Sequence, residues 1–293
     1  MQNNDFLSLN TAISANPSRA GKIGRLLLQL GKISFEDTDK IIRAQQEYGL
    51  LFGDAALKLG LITESDISQA LALQFNYPYL QPGQGNYSNE LVAAYQPFSK
   101  QVEALRALRS QLMMRWFNAS NKSLAIVSAD AGEGVSYLAA NLAVMFSQLG
   151  ERTLLVDANM RDPRQHTIFN LKENRGLSDI IAGRAGLEVV SRVEFFQDLS
   201  VLGAGTTPPN PQELLNRTRF THFINYASSK YDVVLVDTSP ANDSADAQVT
   251  VARCGGALLV SRLNHTRLSD ITEVRNQIAV TGAHVVGAVI NDF

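Results

Sequence analysis

The residues best placed to do chemistry fall in one short run, Ala129-Asp130-Ala131-Gly132-Glu133-Gly134-Val135-Ser136. Four mostly apolar residues, Leu124 to Val127, precede it as a short buried strand, and an alanine-rich stretch from Val135 to Ala143 follows as a helix start. A strand, a small-residue turn and a helix N-terminus present free backbone N–H groups and the positive end of a helix dipole to an anion. Ala131, Gly132, Glu133, Gly134, Val135, Ser136 and Tyr137 are therefore the candidate nucleotide-binding residues. The spacing is that of the phosphate-binding loop, G or A, four residues, then G-K-[ST]. Ser136 supplies the hydroxyl that would hold Mg²⁺, whereas Val135 stands in the place of the lysine. That lysine grips the β- and γ-phosphates, and losing one such preorganised contact costs about 10²–10³ in rate, or about 3–4 kcal/mol.

Two further strands end in acids. Arg152 to Val156 closes on Asp157, and Tyr231 to Val236 closes on Asp237. A pair of carboxylates beside a phosphate cradle is chemistry for Mg²⁺ coordination and for activating water or a hydroxyl, so both are candidate catalytic residues and, with Ser136, metal ligands. Arg161 is a candidate phosphate contact. Asn291, at the close of a last strand from His284 to Ile290, is a candidate contact to the base.

The elements that must position these groups alternate. Continuous apolar strands separated by helices predict a parallel sheet covered on both faces, with ligands at the carboxyl ends of the strands. The predicted fold class is α/β: a parallel-sheet P-loop NTPase domain over 98–293, preceded by a small mainly α-helical domain over 21–80. A flexible tail is expected over 1–20 and a turn-rich linker over 81–97. With 293 residues, 45% hydrophobic and 18% charged, the chain is long enough for two cores. A net charge of −2 gives no reason to expect nucleic acid as a partner. The single cysteine, Cys254, sits in an apolar run and reads as a core residue. No apolar run reaches the roughly 18–20 residues that span a bilayer, and the polar start lacks a signal h-region, so a cytoplasmic protein is expected.

The helical part carries a repeat. Gly24, Gly31 and Gln45 recur as Gly53, Gly60 and Gln74, each 29 residues later. Each copy reads as a short amphipathic helix, a glycine stop, and a second helix opening at Ser34 or Thr63. The two copies, Lys22-Ile23-Gly24 to Gln45 and Leu51-Phe52-Gly53 to Gln74, resemble the tandem motif of cyclic-di-GMP-binding N-terminal domains on type II secretion and pilus ATPases. That family opens each copy Arg-Leu-Gly; here lysine and leucine replace the arginine, and neither reproduces its planar fork. The resemblance implies a second-messenger site at Lys22, Gly24, Gly31, Gln45, Gly53, Gly60 and Gln74.

The second domain resembles bacterial tyrosine autokinases, the P-loop kinases of capsule and exopolysaccharide export, and within them the chain-length-determinant (EpsG-like) type. The resemblance rests on five stretches in order. They are Glu103-x-x-Arg106-x-x-Arg109, Ser128 to Ser136, Leu154 to Arg161, the loop Gly203 to Leu215, and Val234 to Pro240. It implies bound ATP or ADP with Mg²⁺ and a homo-oligomeric ring built through Glu103, Arg106 and Arg109. It also implies a partner in the cytoplasmic tail of a transmembrane polysaccharide copolymerase, and hence peripheral placement at the inner membrane. Besides the missing lysine, Asn159 replaces the second aspartate of the family's D-x-D, and the C-terminal end carries no tyrosine cluster. Three readings follow: a nucleotide-binding regulator with little or no kinase activity; an active kinase borrowing a basic residue such as Arg161 or a neighbour's arginine; or a second-messenger sensor whose α/β domain is a scaffold. A partition-type ATPase shares the sheet and acids but relies on loop lysines that are missing here.

Overall fold

The computed structural model describes residues 21–74, 79–80 and 84–293; the tail expected over 1–20 lies outside the described residues. The chain divides into two compact units, Met1–Pro78 and Tyr79–Phe293.

Among its described residues the first unit holds four helices: α1 (Gly21–Gln29), α2 (Phe35–Tyr48), α3 (Phe52–Lys58) and α4 (Glu64–Gln74). Ser34 caps α2 by accepting from the Asp37 amide while Asp37 accepts from the Ser34 amide, and Thr63 and Asp66 repeat the exchange ahead of α4. Gly31, after α1, and Gly60, after α3, have φ of 64° and 67°, the left-handed conformation that a helix stop needs and that glycine adopts without strain. The copies do not fold as separate hairpins. Instead α1 packs on α4 and α2 on α3, so the first helix of each copy lies against the second helix of the other. Leu27, Ile41, Ala55, Ala56 and Ala70 close the core between them, and a Lys32–Asp66 ion pair at 2.7 Å joins the copies at the surface.

The second unit is a seven-stranded sheet. Its strands are β1 (Ser123–Ser128), β2 (Thr153–Asp157), β3 (Ser191–Arg192), β4 (Leu199–Leu202), β5 (Val233–Asp237), β6 (Gly256–Arg262) and β7 (His284–Asn291). Their order is β3-β4-β2-β5-β1-β6-β7, parallel throughout except for the β3–β4 pair at one edge. Every residue of β1, β2 and β5 is buried, and alternate side chains enter two different cores: Leu124 and Ile126 on one face, Ala125 and Val127 on the other. That is why these strands read as unbroken apolar runs. The first face is covered by α6 (Lys100–Arg115) and α7 (Val135–Ser147), with the short α5 (Val92–Tyr95) on α7. The second face is covered by α11 (Thr218–Lys230), α12 (Asp246–Cys254) and α13 (Leu268–Val280). Three short helices complete the connections: α8 (Gln165–Ile168), α9 (Leu177–Ala182) and α10 (Pro211–Leu215).

The linker expected over 81–97 needs correcting from residue 84 onward. Leu91, Ala93 and Ala94 are fully buried in the sheet's core. The buried Asn141 of α7 accepts from the Ala93 amide at 2.9 Å and donates to the Glu90 carbonyl at 2.8 Å, while Gln148 donates to the Ala93 carbonyl. The turn residues around this segment hid four small apolar side chains that the α/β core needs.

Candidate nucleotide site

The loop between β1 and α7 reverses the chain through two left-handed glycines, Gly132 (φ 76°) and Gly134 (φ 90°). At Gly134 a Cβ would lie 2.6 Å from the Asn291 amide nitrogen and 3.1 Å from the Phe293 ring, so conformation and space both demand glycine. Behind the loop, Glu133 is almost wholly buried. Its carboxylate accepts from the amides of Ala129 (3.0 Å) and Asp130 (3.3 Å) and from the Thr266 hydroxyl, and Asn291 donates to the Glu133 carbonyl at 2.8 Å. Glu133 and Asn291 thus brace the loop from within the protein. The amides of Ala131, Gly132 and Gly134 donate to nothing among the described residues, and Val135 and Ser136 open α7 where helix amides have no internal partner. A bare amide cradle at the N-terminus of a 13-residue helix fits a phosphate. Val135 itself is buried in the core beneath the loop.

The two acids meet. Asp157 and Asp237 are register partners on neighbouring strands and both are fully buried. Asp157 is satisfied by backbone: one oxygen accepts from the Asn159 amide at 3.1 Å, the other from Arg164 and Gln165 at 3.0 Å each. Asp237 is not. One oxygen accepts from the Gln165 side chain at 2.8 Å; the other is buried with no partner among the described residues. Burial raises both carboxyls above the ordinary range, with the facing Asp237 charge adding to the shift on Asp157; for Asp237, hydrogen bonds from Gln165 and the Ser136 hydroxyl pull the other way. An orphaned, desolvated carboxylate oxygen beside a second carboxylate and a serine hydroxyl is a donor set suited to a cation, and hard oxygen ligands suit Mg²⁺. Ser136, Asp157 and Asp237 fit that ion.

The remaining cleft wall comes from the segment after β2. Arg161 and Arg164 line it with Asn159 and Asp162. Both arginines are engaged: Arg161 with the buried Asp246 at 2.7 Å, Arg164 with Glu90 at 2.7 Å. Gln165 and Arg164 were not singled out in the sequence. A neutral glutamine carries no motif signal, and only the fold reveals that it bridges the Asp237 carboxylate and the Ser136 carbonyl (3.1 Å). Tyr137 also lines the cleft, its hydroxyl without a partner among the described residues and pushed up to about 12 by burial and the nearby Glu90.

Elsewhere, the candidate residues have local work. On α6, Glu103 pairs with Arg106, which also donates to the Pro97 carbonyl, and Arg109 donates to the Met145 carbonyl in the last turn of α7 at 3.0 Å. In the helical unit, Lys22 is exposed and Gly24 buried, both on α1, while Gly53 on α3 sits where a Cβ would come within 3.1 Å of Ile67. The Gln45 side chain donates to the Leu50 carbonyl at 3.4 Å and Gln74 ends α4. Helix stops and close packing account for Gly31, Gly60 and Gly53 without a ligand.

This geometry is that of a P-loop α/β fold, and comparisons with known proteins agree on the fold. The kinase domain of Escherichia coli tyrosine kinase ETK superposes with a TM-score of 0.66 at 30% identity, over 69% of this chain and 79% of that one. The chimerical protein CapA2B2 gives 0.65 at 33% identity, over 76% and 97%. The septum site-determining protein MinD of Pyrococcus horikoshii, solved with Mg-ADP, shares the fold at 0.52 and 24% identity. In sequence, CapB of Staphylococcus aureus, named as a tyrosine-protein kinase, is 37% identical over 197 residues, 67% of this chain and 86% of its own length. Tyrosine-protein kinase YwqD of Bacillus subtilis is 33% identical over 201 residues, 69% and 85%. Against Wzc of Salmonella typhi, identity is 32% and the match spans only 28% of that longer protein. No family model matches the chain. The chain belongs to the bacterial tyrosine-protein kinases.

Proposed function

We propose that the protein binds ATP or ADP with Mg²⁺ at the β1–α7 loop and acts as a nucleotide-gated regulator of exopolysaccharide chain length and export, with little or no phosphotransfer of its own. The observation that carries this is the combination at one site of free loop amides, Ser136 and a paired, partly orphaned Asp157–Asp237, with buried Val135 where a lysine would grip the phosphates. The loop amides would hold the phosphates, and Ser136, Asp157 and Asp237 would hold the ion, with Asp157 fixed by three amides and Asp237 kept in place by Gln165. Bound there, Mg²⁺ would supply charge neutralisation to the phosphate oxygens. Without the lysine, the charge that builds on a transferring phosphoryl group goes unopposed. A second reading, an active kinase, draws support from Arg161 and Arg164 at the cleft wall, although each must first leave an acidic partner.

The similarity to a CapA2B2 chimera and to the much longer Wzc supports a partner in the cytoplasmic tail of a transmembrane chain-length protein. No described helix is long and apolar enough to cross a membrane. The reading includes a homo-oligomer formed through the α6 face, recruitment to the inner membrane by that partner, and a helical unit kin to secretion ATPase N-terminal domains. Binding of cyclic-di-GMP there draws support only from the repeat.

Titration with Mg·ATP and Mg·ADP beside a Val135→Lys variant tests the proposal. Micromolar binding by the wild type, with phosphotransfer rising about 10²–10³-fold in the variant, is the expected result. No binding by either form leaves the cradle a scaffold, and vigorous wild-type phosphotransfer leaves the active-kinase reading.

A further inference from the structure

At the amino ends of the strands, opposite the phosphate loop, a second cavity of about 400 Å³ opens beside β2, β4 and α11. Ligand pockets commonly occupy roughly 300–1,000 Å³ with an apolar body and a few convergent polar groups, and this one is built that way. Its floor is buried and apolar, from Leu154, Phe223 and Ala227. The Tyr226 ring, 43% exposed, forms one wall. Three cations stand at the rim: Arg152, Arg192 and Lys230, against the single carboxylate of Asp198. They are not equivalent. Arg152 is held in a bidentate pair by Asp232, at 2.8 and 2.9 Å. Lys230 lies 5.8 Å from the Tyr226 ring centroid, and the Arg192 guanidinium pairs with no acid among the described residues.

We propose that this cavity is a second ligand site, separate from the phosphate loop, for a phosphate monoester carrying an aromatic ring. A bare inorganic anion satisfies Arg192 and Lys230 but leaves the apolar floor in water. An uncharged aromatic fills the floor and leaves both cations unanswered. A ring-bearing monoester does both: the phosphate takes the Arg192 fork, with Lys230 as a point charge, and the ring covers Phe223 and Ala227 against Tyr226. The same chemistry comes from two sources, a free nucleoside monophosphate or a phosphorylated tyrosine side chain.

Calorimetric titration of the full chain, with Mg·ADP in excess to occupy the loop, separates the cases. The probes are O-phosphotyrosine, AMP, tyrosine and inorganic phosphate. At least one monoester is expected to bind about tenfold or more tightly than inorganic phosphate, and Arg192→Gln or Lys230→Gln to weaken it about tenfold. Both residues are exposed, so these variants keep the wild-type melting temperature. Preference for phosphotyrosine points to a phosphorylated chain as the source, and preference for AMP to a free nucleotide; either supports the site. Failure of both monoesters to bind, or binding that survives both rim variants and is lost in Gly134→Ala, overturns it.

Discussion

Strand β5 begins just after one aspartate and ends on another, and the two live in opposite worlds. Asp232, at the amino end, accepts from Arg152 through both oxygens and from Lys122 at 3.4 Å, and those partners hold its carboxyl well below the usual carboxylate range. Asp237, at the carboxyl end, faces a second carboxylate and keeps one oxygen unpaired among the described residues, and its burial pushes the carboxyl up. One acid ties strands and loops together at the bottom of the sheet; the other is kept in a condition that folding alone would not select. Groups tuned in that direction collect at sites of chemistry, and the cost is borne by the rest of the fold.

The largest effect expected from this contrast is at Asp237. Its folded pKa of about 6 lies above the 3.8 of an ordinary aspartate, so the proton it holds favours the folded state below pH 4, and that contribution is lost as pH rises through 6. Asp237→Asn should stabilise the ligand-free protein at pH 7 by up to about 3 kcal/mol and remove the protection that Mg·ADP gives the wild type. Urea melts at pH 4, 6 and 7, with and without Mg·ADP, check both; an asparagine variant less stable than wild type at pH 7 would break the comparison. Next comes Gly134→Ala, which forces a side chain into left-handed backbone and against Asn291. It should cost about 1–2 kcal/mol and abolish Mg·ADP binding, read by calorimetry and thermal melting. The smallest effect belongs to the stabilising end: Asp232→Ala should lose about 1 kcal/mol in low salt and less in 1 M salt, with nucleotide binding untouched. Its sign with pH is the reverse of that at Asp237. Stability from Asp232 is present above 3.8 and fades as acid is added, so the variant should converge on wild type at low pH.

Much of the α/β architecture was legible because its strands are buried on both faces. Val233 to Asp237 has no solvent side, so its apolar run announces strand and acid together. The phosphate loop was legible for a backbone reason, since left-handed turns at Gly132 and Gly134 leave a glycine signature in any sequence. What escaped depends on contacts between distant residues. The two-residue β3 is too short to carry a period, and β4 spans only Leu199–Leu202. Gln165 reaches Asp237 across 72 positions of chain through an amide that could sit on any surface. Residues 91–94 looked like linker because four small apolar residues among turn formers do not show which core they fill. The repeat was visible, but its crossed pairing, α1 on α4 and α2 on α3, was not, because period alone does not choose between hairpins and exchange.

The grip of Asn141 on residues 90–93 has a mechanical meaning. The helix it belongs to begins at the phosphate loop, and Arg109 clamps that same helix near its far end at Met145. The segment from Glu90 to Ala93 is therefore anchored to the helix that opens at the loop and is no slack tether.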